Sequence, residues 1–390
     1  MSKLNELIQQ HCPDGVEYKY LGEFCEIKTG KGITKKDSDE NGNYPIISGG
    51  ITPMGYYHTF NREGNTVTIS RVGANAGLVS FIDKRFYLND KCFSVIPSDD
   101  TNTKFLYYVL SARENEIKGM QSEGGVPTIN TQKVGSIDIP VPPLPVQEEI
   151  VRILDNFAEL QAELQAELQK RLQQYNYYRD KLLSFNDLNG GGYAVSVEWK
   201  KLGEICLKVC SGGTPSRGKS DYFTGDIPWL RTQEVDWKDI CDTEIKITED
   251  AVKNSSAKLI PENCVIIAMY GATAAKVGIN KIPLTTNQAC CNLQINPQKA
   301  LYKYVYYWVC NQYEHLKSLG QGSQNNLNAQ TIKEYPIPVP SLEEQQKIVD
   351  ILDRFHALTT DITAGLPAEI EARRKQYEYY RDQLLTFKQK

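Results

Sequence analysis

Two stretches of the chain share one pattern of apolar and polar positions. Over residues 143–185 (PLPVQEEIVRILDNFAELQAELQAELQKRLQQYNYYRDKLLSF) apolar residues recur at three- and four-residue spacing among Gln, Glu, Lys and Arg, with no glycine and no proline after Pro145. The pattern predicts one helix of about 40 residues, ~60 Å long at about 1.5 Å per residue. A near copy ends the sequence: residues 338–358 (PVPSLEEQQKIVDILDRFHAL) match its start and residues 373–387 (RRKQYEYYRDQLLTF) match its end. Between the matched ends the second copy is four residues longer and holds Thr363-Ala364-Gly365-Leu366-Pro367, which should interrupt it. The first copy has AELQ three times instead, so Leu160, Leu164 and Leu168 step by fours where a heptad alternates threes and fours. So narrow a seam needs a partner helix, and the other copy, antiparallel, is the expected one.

The segments before each helix also repeat. Val16-Glu17-Tyr18-Lys19-Tyr20-Leu21-Gly22-Glu23 returns as Val197-Glu198-Trp199-Lys200-Lys201-Leu202-Gly203-Glu204, Gly73-Ala74-Asn75-Ala76 as Gly271-Ala272-Thr273-Ala274, and Ile139-Pro140-Val141-Pro142 as Ile337-Pro338-Val339-Pro340. Ordered matches at a nearly constant offset make the chain a tandem duplication. Short β-branched runs at 65–70, 78–82, 92–96, 264–269 and 291–295 predict strands. Each half also has one tyrosine-rich helical stretch, 104–118 and 302–319, whose Tyr107, Tyr108, Tyr306 and Tyr307 are read as core. Residues 1–17 predict a short helix stopped at Cys12-Pro13-Asp14-Gly15. The expected fold is α+β: two mixed globular domains joined by two long antiparallel coiled-coil helices in a pseudo-twofold internal repeat. Its expected segments are 1–142 and 188–340 for the globular domains, 143–187 for the central helix and 341–390 for the C-terminal helix.

Composition narrows the functional classes. No apolar run reaches membrane-spanning length and the opening MSKLNELIQQ lacks signal-peptide character, so a cytoplasmic protein is expected. Ten cysteines without a CxxC pair, and four scattered histidines, favour reduced buried thiols over disulfides or a metal site. Catalytic signatures are missing: no GxxxxGK[ST] loop, no GxSxG elbow, and only common, loosely spaced Glu-x-Lys triplets of the kind nucleases use. No catalytic residue is assigned.

Binding determinants are better represented. Residues 28–36 (KTGKGITKK) form a basic glycine loop, with Lys31, Lys35 and Lys36 placed to meet phosphates, and residues 211–219 (SGGTPSRGK) give its counterpart with Arg217 and Lys219. Arg71 and Arg231 follow apolar stretches and carry the fork that takes guanine's two major-groove acceptors. Asn75, Asn130, Gln324, Asn325 and Asn326 lie in loops where amides can pair with adenine edges. The net charge of −4 opposes nucleic-acid binding. Much of the acid, however, sits on the two long helices, among them Glu148, Glu149, Glu343 and Glu344, and a partner would supply part of the affinity.

The repeated globular parts, the IPVP closures, the helix starts PLPVQEEIVRIL and PSLEEQQKIVDIL, the helix ends QYNYYRD and QYEYYRD, and the opening CPDGVEYKYLGE resemble the specificity (S) subunits of type I restriction-modification systems. The resemblance spans essentially the whole chain. It implies two target recognition domains reading the halves of a split duplex site, and spacer helices that dock two methyltransferase (M) subunits and the restriction (R) subunits. It also places S-adenosylmethionine on M and ATP with Mg on R, makes the assembled complex an adenine-N6 methyltransferase and ATP-dependent endonuclease, and leaves this chain non-catalytic and without a cofactor. Two other readings share parts of the pattern: a repeat-built protein scaffold without sequence-specific DNA binding, and a stand-alone nuclease.

Overall fold

A computed structural model describes residues 2–122, 125–185, 197–321, 326–361 and 364–390. The chain divides into two compact units, residues 1–166 with 369–390, and residues 167–368.

The first unit opens with the helix Ser2–His11, ended by the proline and glycine of the following turn, and Val16 then bridges to Gln389. A two-stranded antiparallel pair, Tyr18–Tyr20 with Asp138–Pro140, brings the start and end of the globular part together. Between them lies a four-stranded antiparallel sheet in the order Cys25–Thr29, Cys92–Pro97, Thr66–Ser70, Val79–Ile82. A second, three-stranded sheet places Tyr44–Ile47 between Tyr56–Tyr57 and Tyr87–Leu88, the latter pair parallel. Val67, Ile69, Phe93 and Val95 on the first sheet, Phe105, Leu106 and Leu110 on the tyrosine-rich helix, and Ile150 and Leu154 on the long helix form one buried cluster.

The second unit repeats this plan. Glu198–Lys201 pairs with Pro336–Val339, and the main sheet runs Cys206–Ser211, Cys290–Ile295, Val265–Ala268, Val277–Asn280, with Asp239–Ile240 added in parallel at its edge. The smaller sheet gains a strand and has the order Lys246–Ile247, Ile227–Leu230, Leu284–Thr286, Leu259–Ile260.

The central helix is continuous from Leu144 to Leu182, 39 residues. Its copy is broken into Leu342–Thr360 and Leu366–Leu384, as the Gly365-Leu366-Pro367 segment requires. In the first unit Phe157 stacks on Tyr380 (5.6 Å) and lies 6.4 Å from Tyr377, while Leu384 joins the cluster around Val146 and Ile150. In the second, Phe355 stacks on Tyr178 (5.5 Å), and Leu182 and Leu183 join Ile348, Val349 and Leu352. As one helix advances its partner recedes, so within each unit the pairing is antiparallel. Leu160, Leu164 and Leu168 are half-buried, whereas Val146, Ile150 and Leu154 are fully buried.

Each tyrosine-rich stretch is two helices, not one: Thr103–Ala112 then Glu114–Gly119, and Tyr302–Asn311 then Tyr313–Ser318. At Arg113 and Gln312 the backbone bonds tighten to three residues back and the helix restarts, without glycine or proline to announce it. Tyr108, Tyr306 and Tyr307 are buried, and half-buried Tyr107 packs 5.7 Å from Phe81. All ten cysteines are free thiols, and burial pushes those of Cys25 and Cys206 up to about 12. No helix among the described residues is long and apolar enough to cross a membrane.

Candidate nucleic-acid interface

In each unit the glycine loop, the end of a core strand and the turn before Cys92 or Cys290 are tied into one cluster by the same two backbone bonds, to which the first unit adds one from a side chain. In the first unit Lys31 N donates to Leu88 O (2.9 Å), Asn89 N to Ile47 O (2.9 Å) and Asn89 Nδ2 to Ile33 O (2.8 Å). In the second, Gly213 N donates to Thr286 O (2.9 Å) and Asn287 N to Leu230 O (2.9 Å). Only glycine fits at Gly30 and Gly212, since a Cβ would collide with the carbonyl oxygens of Leu88 and Asn89, or of Thr286. The loops are therefore held by backbone, leaving side chains for other work.

Lys31 is exposed on its loop, and Lys35 and Lys36 are exposed on the turn Lys35–Asp37. Arg71 lies over the Phe93 ring (5.4 Å) and gives one Nη1 bond to Asp90 O (3.3 Å); its Nε is buried without a partner. Its backbone donates from N to Lys91 O (2.9 Å) and accepts at O from Ile129 N (2.8 Å). Asn75 Nδ2 donates to Gly49 O (3.0 Å), joining a further loop to the cluster. Asn130 caps the helix Thr131–Gly135 by accepting from Lys133 N (2.9 Å), so this side-chain oxygen performs a structural task rather than standing free for a base.

The second unit differs in its side chains. Met269 N donates to Ala289 O and Leu327 N to Met269 O, both 2.8 Å, the bonds Arg71 makes in the first unit. Met269 is thus the counterpart of Arg71, and by the Asn287–Leu230 bond Arg231 corresponds to Ser48. Arg231 is already engaged: it pairs with Glu244 and stands 3.6 Å from Glu234, so its fork is held by carboxylates and is not presented as a free guanine reader. Arg217 and Lys219 are exposed, the latter bonded to Tyr222 Oη (3.0 Å), which raises the lysine's pKa. Asn326 exchanges backbone bonds with Gln321 (2.9 and 3.0 Å), and its Oδ1 is buried without a partner. Gln324 and Asn325 lie outside the described residues.

Sequence reasoning missed the groups that fasten each globular part to its helix. Gln147, fully buried on the central helix, accepts from Asn102 N (2.8 Å) and donates to Pro142 O (2.6 Å); Gln345 repeats this with Leu301 N (2.8 Å) and Pro340 O (2.9 Å). Asp155 takes Lys104 (2.7 Å) and Tyr108 Oη (2.6 Å), and Asp353 takes Lys303 (2.5 Å) and Tyr307 Oη (2.6 Å). Burial, reinforced by each aspartate, pushes both tyrosine hydroxyls well above their ordinary range. The available signal was the recurrence of Lys-x₃-Tyr and of Ile-Leu-Asp at matching places in both copies. No group of three or more His, Cys, Asp or Glu among the described residues is placed to hold a metal.

The family of type I restriction modification DNA specificity domains matches residues 13–174 and again 195–372. The specificity subunit of the Escherichia coli EcoR124I/EcoR124II type I restriction enzyme is 36% identical over 99% of this chain and 97% of its own. A putative type I restriction enzyme specificity subunit of Haemophilus influenzae is 30% identical, covering 95% of this chain and 96% of its own. Among solved structures, the type I restriction-modification S subunit from M. genitalium superposes with a TM-score of 0.62 at 18% identity, over 95% of this chain and 96% of its own, a likeness of fold. With a duplicated α+β plan, twinned loop clusters and these matches over nearly its full length, the chain belongs to the specificity subunits of type I restriction-modification systems, the non-catalytic components that carry DNA sequence specificity.

Proposed function

We propose that the chain reads a bipartite, asymmetric duplex site, one half through residues 1–142 and the other through 188–340, while the helices at 143–187 and 341–390 dock two methyltransferase subunits and the restriction subunits. The observation that carries this is the pair of loop clusters built on identical backbone bonds but carrying different side chains, Arg71 in one and Met269 in the other. One scaffold used twice with different readers yields two different half-sites, and a duplicated helix offers like sites to two like partners. Lys31, Lys35 and Lys36, and Arg217 with Lys219, would meet phosphates; Arg71 and the side-chain Oδ1 of Asn75 would meet base edges. S-adenosylmethionine would reside on the methyltransferase subunit, ATP and Mg on the restriction subunit, and the assembled complex would methylate adenine N6 in the cytoplasm.

The test is to map adenine methylation in the source genome with and without this gene, then with residues 200–336 replaced by another recognition domain. The expected result is a split motif that vanishes with the gene, and of which one half alone changes on exchange. Change in both halves refutes the division of labour, and an unaltered methylation pattern refutes the function.

A further inference from the structure

The loops gathered around Arg71 expose two apolar side chains. Ile51 is 82% exposed and Val126 62%. A single exposed apolar residue is ordinary on a protein surface. Here, however, both stand on loops fastened to the same short stretch, residues 71–75. Gly49, two residues before Ile51, accepts at its carbonyl from Asn75 Nδ2 (3.0 Å), and Pro127, next to Val126, accepts from Gly73 N (2.9 Å). Anchoring of both loops beside an arginine sets the two side chains apart from scattered surface residues.

The loops of this cluster carry both signs of charge with a small cationic excess among their described residues. Lys31, Lys35, Lys36 and Lys91 are exposed and Arg71 is half-buried, against exposed Asp37, Asp39, Glu40 and Asp90. Asp37 is occupied by Thr34 N (2.9 Å) and Oγ1 (2.6 Å), and Asp39 by Asn41 N (2.9 Å). Apolar tips within a basic loop cluster suit a surface that is anionic at its rims and apolar at defined points inside, as the major groove is. Among the four ordinary bases only thymine presents a methyl group there, and aliphatic side chains are its natural contact. In the second unit the segment corresponding to Ser48 onward is Arg231-Thr232-Gln233-Glu234, which is polar throughout. At the position of Ile51 the second unit therefore carries Glu234.

We propose that Ile51 and Val126 contact the 5-methyl group of pyrimidines in the major groove, so that the half-site of the first unit contains at least one pyrimidine read through its methyl. The proposal rests on the DNA-reading function above, and the shared chemistry covers thymine and 5-methylcytosine. The experiment uses the full chain assembled with its methyltransferase subunits and a site selected from a random duplex library. The first unit's half is the one that persists when residues 200–336 are exchanged.

Duplexes then carry deoxyuridine at one thymine at a time, or 5-methylcytosine at one cytosine at a time, and affinity is measured by fluorescence anisotropy. Loss of about fourfold on removing a methyl from one or two thymines of that half is expected, the worth of about one buried methyl group. A comparable gain with 5-methylcytosine supports the proposal from the other source. At one of the methyl-sensitive thymines Ile51→Ala is expected to bind the thymine duplex about as weakly as the native chain binds the uracil duplex and to lose nothing more with uracil there, Ile51→Val to fall between, and Val126→Ala to do the same at its own thymine. Uracil tolerated within about twofold throughout that half, together with indifference to 5-methylcytosine, overturns the proposal. So does a chain carrying both Ile51→Ala and Val126→Ala that still distinguishes thymine from uracil at every thymine of that half, since the two residues would then act as packing or as wedges. Failure to select any sequence overturns the DNA-reading function itself, an outcome distinct from a selected site blind to methyls.

Discussion

Replacing Tyr307 by Phe removes one hydroxyl and nothing else from the contact that fastens the second globular part to its helix. The hydroxyl donates to Asp353 Oδ1 at 2.6 Å from a ring that is 2% exposed. A hydrogen bond to a charged acceptor contributes about 1.5–3 kcal/mol. The Asp353 side chain is 34% exposed and keeps Lys303, so solvent compensates part of the loss, and about 1–2 kcal/mol is expected. For a unit of this size that is about 2–8 °C in Tm, from about 2–4 °C per kcal/mol. All four tryptophans, Trp199, Trp229, Trp237 and Trp308, lie within residues 167–368, so tryptophan fluorescence in urea follows this unit alone. In a double-mutant cycle with Asp353→Asn the coupling should be on the order of 1 kcal/mol. Tyr306→Phe, which loses only neutral partners, Trp237 O (2.9 Å) and the Cys310 thiol, should cost less.

The pH dependence supplies a second readout. Burial first, and the Asp353 bond next, raise the Tyr307 hydroxyl above its ordinary value of 10.0. The folded chain therefore holds this proton where the unfolded chain releases it. The contribution is complete below about pH 10 and declines as pH rises past it, so the gap between the native chain and Tyr307→Phe should narrow there. A change under about 0.5 kcal/mol with no coupling to Asp353 would refute the reasoning, since it would mean that the hydroxyl gains nothing from its carboxylate.

Two further outcomes are expected. Glu149, nearly buried, is bonded to Arg152 and to Lys3 of the N-terminal helix, and the Arg152 hydrogen bond leads in lowering its pKa from 4.5 to about 2. This stabilisation is present above pH 4.5 and lost as pH falls toward 2, so Glu149→Gln should lie below the native chain at pH 6 and converge with it by about pH 2 in acid titrations followed by circular dichroism. Deleting one AELQ unit from residues 158–169 removes ~6 Å and a net rotation of about 40° from the central helix. Against ~3.4 Å and about 35° per base pair, the preferred spacer should shorten by one or two base pairs with both half-site sequences kept. Methylation mapping checks this, and altered half-site letters would contradict it.

Much of the architecture was legible in the order of residues, because it rests on periodicity and repetition. The helix Leu144–Leu182, the break before Leu366 and the doubled plan follow from spacing, glycine, proline and self-similarity, which need no tertiary information. The break at Arg113 and Gln312 was not legible, since no residue there forbids a helix and only packing against the neighbouring elements selects the restart.

The binding face shows the same division. Composition pointed to Lys31, Arg71 and Arg231 alike, yet Glu244, 13 residues further along the sequence, pairs with Arg231, and the pattern of backbone bonds decides that Arg71 answers to Met269. Glu244 was visible in the sequence; its approach to Arg231 depends on the chain returning after the edge strand Asp239–Ile240. Local pattern thus determined which elements form and that they occur twice. Long-range hydrogen bonding and charge pairing, which depend on distances that no local pattern encodes, decided which of the candidate side chains are engaged within the protein.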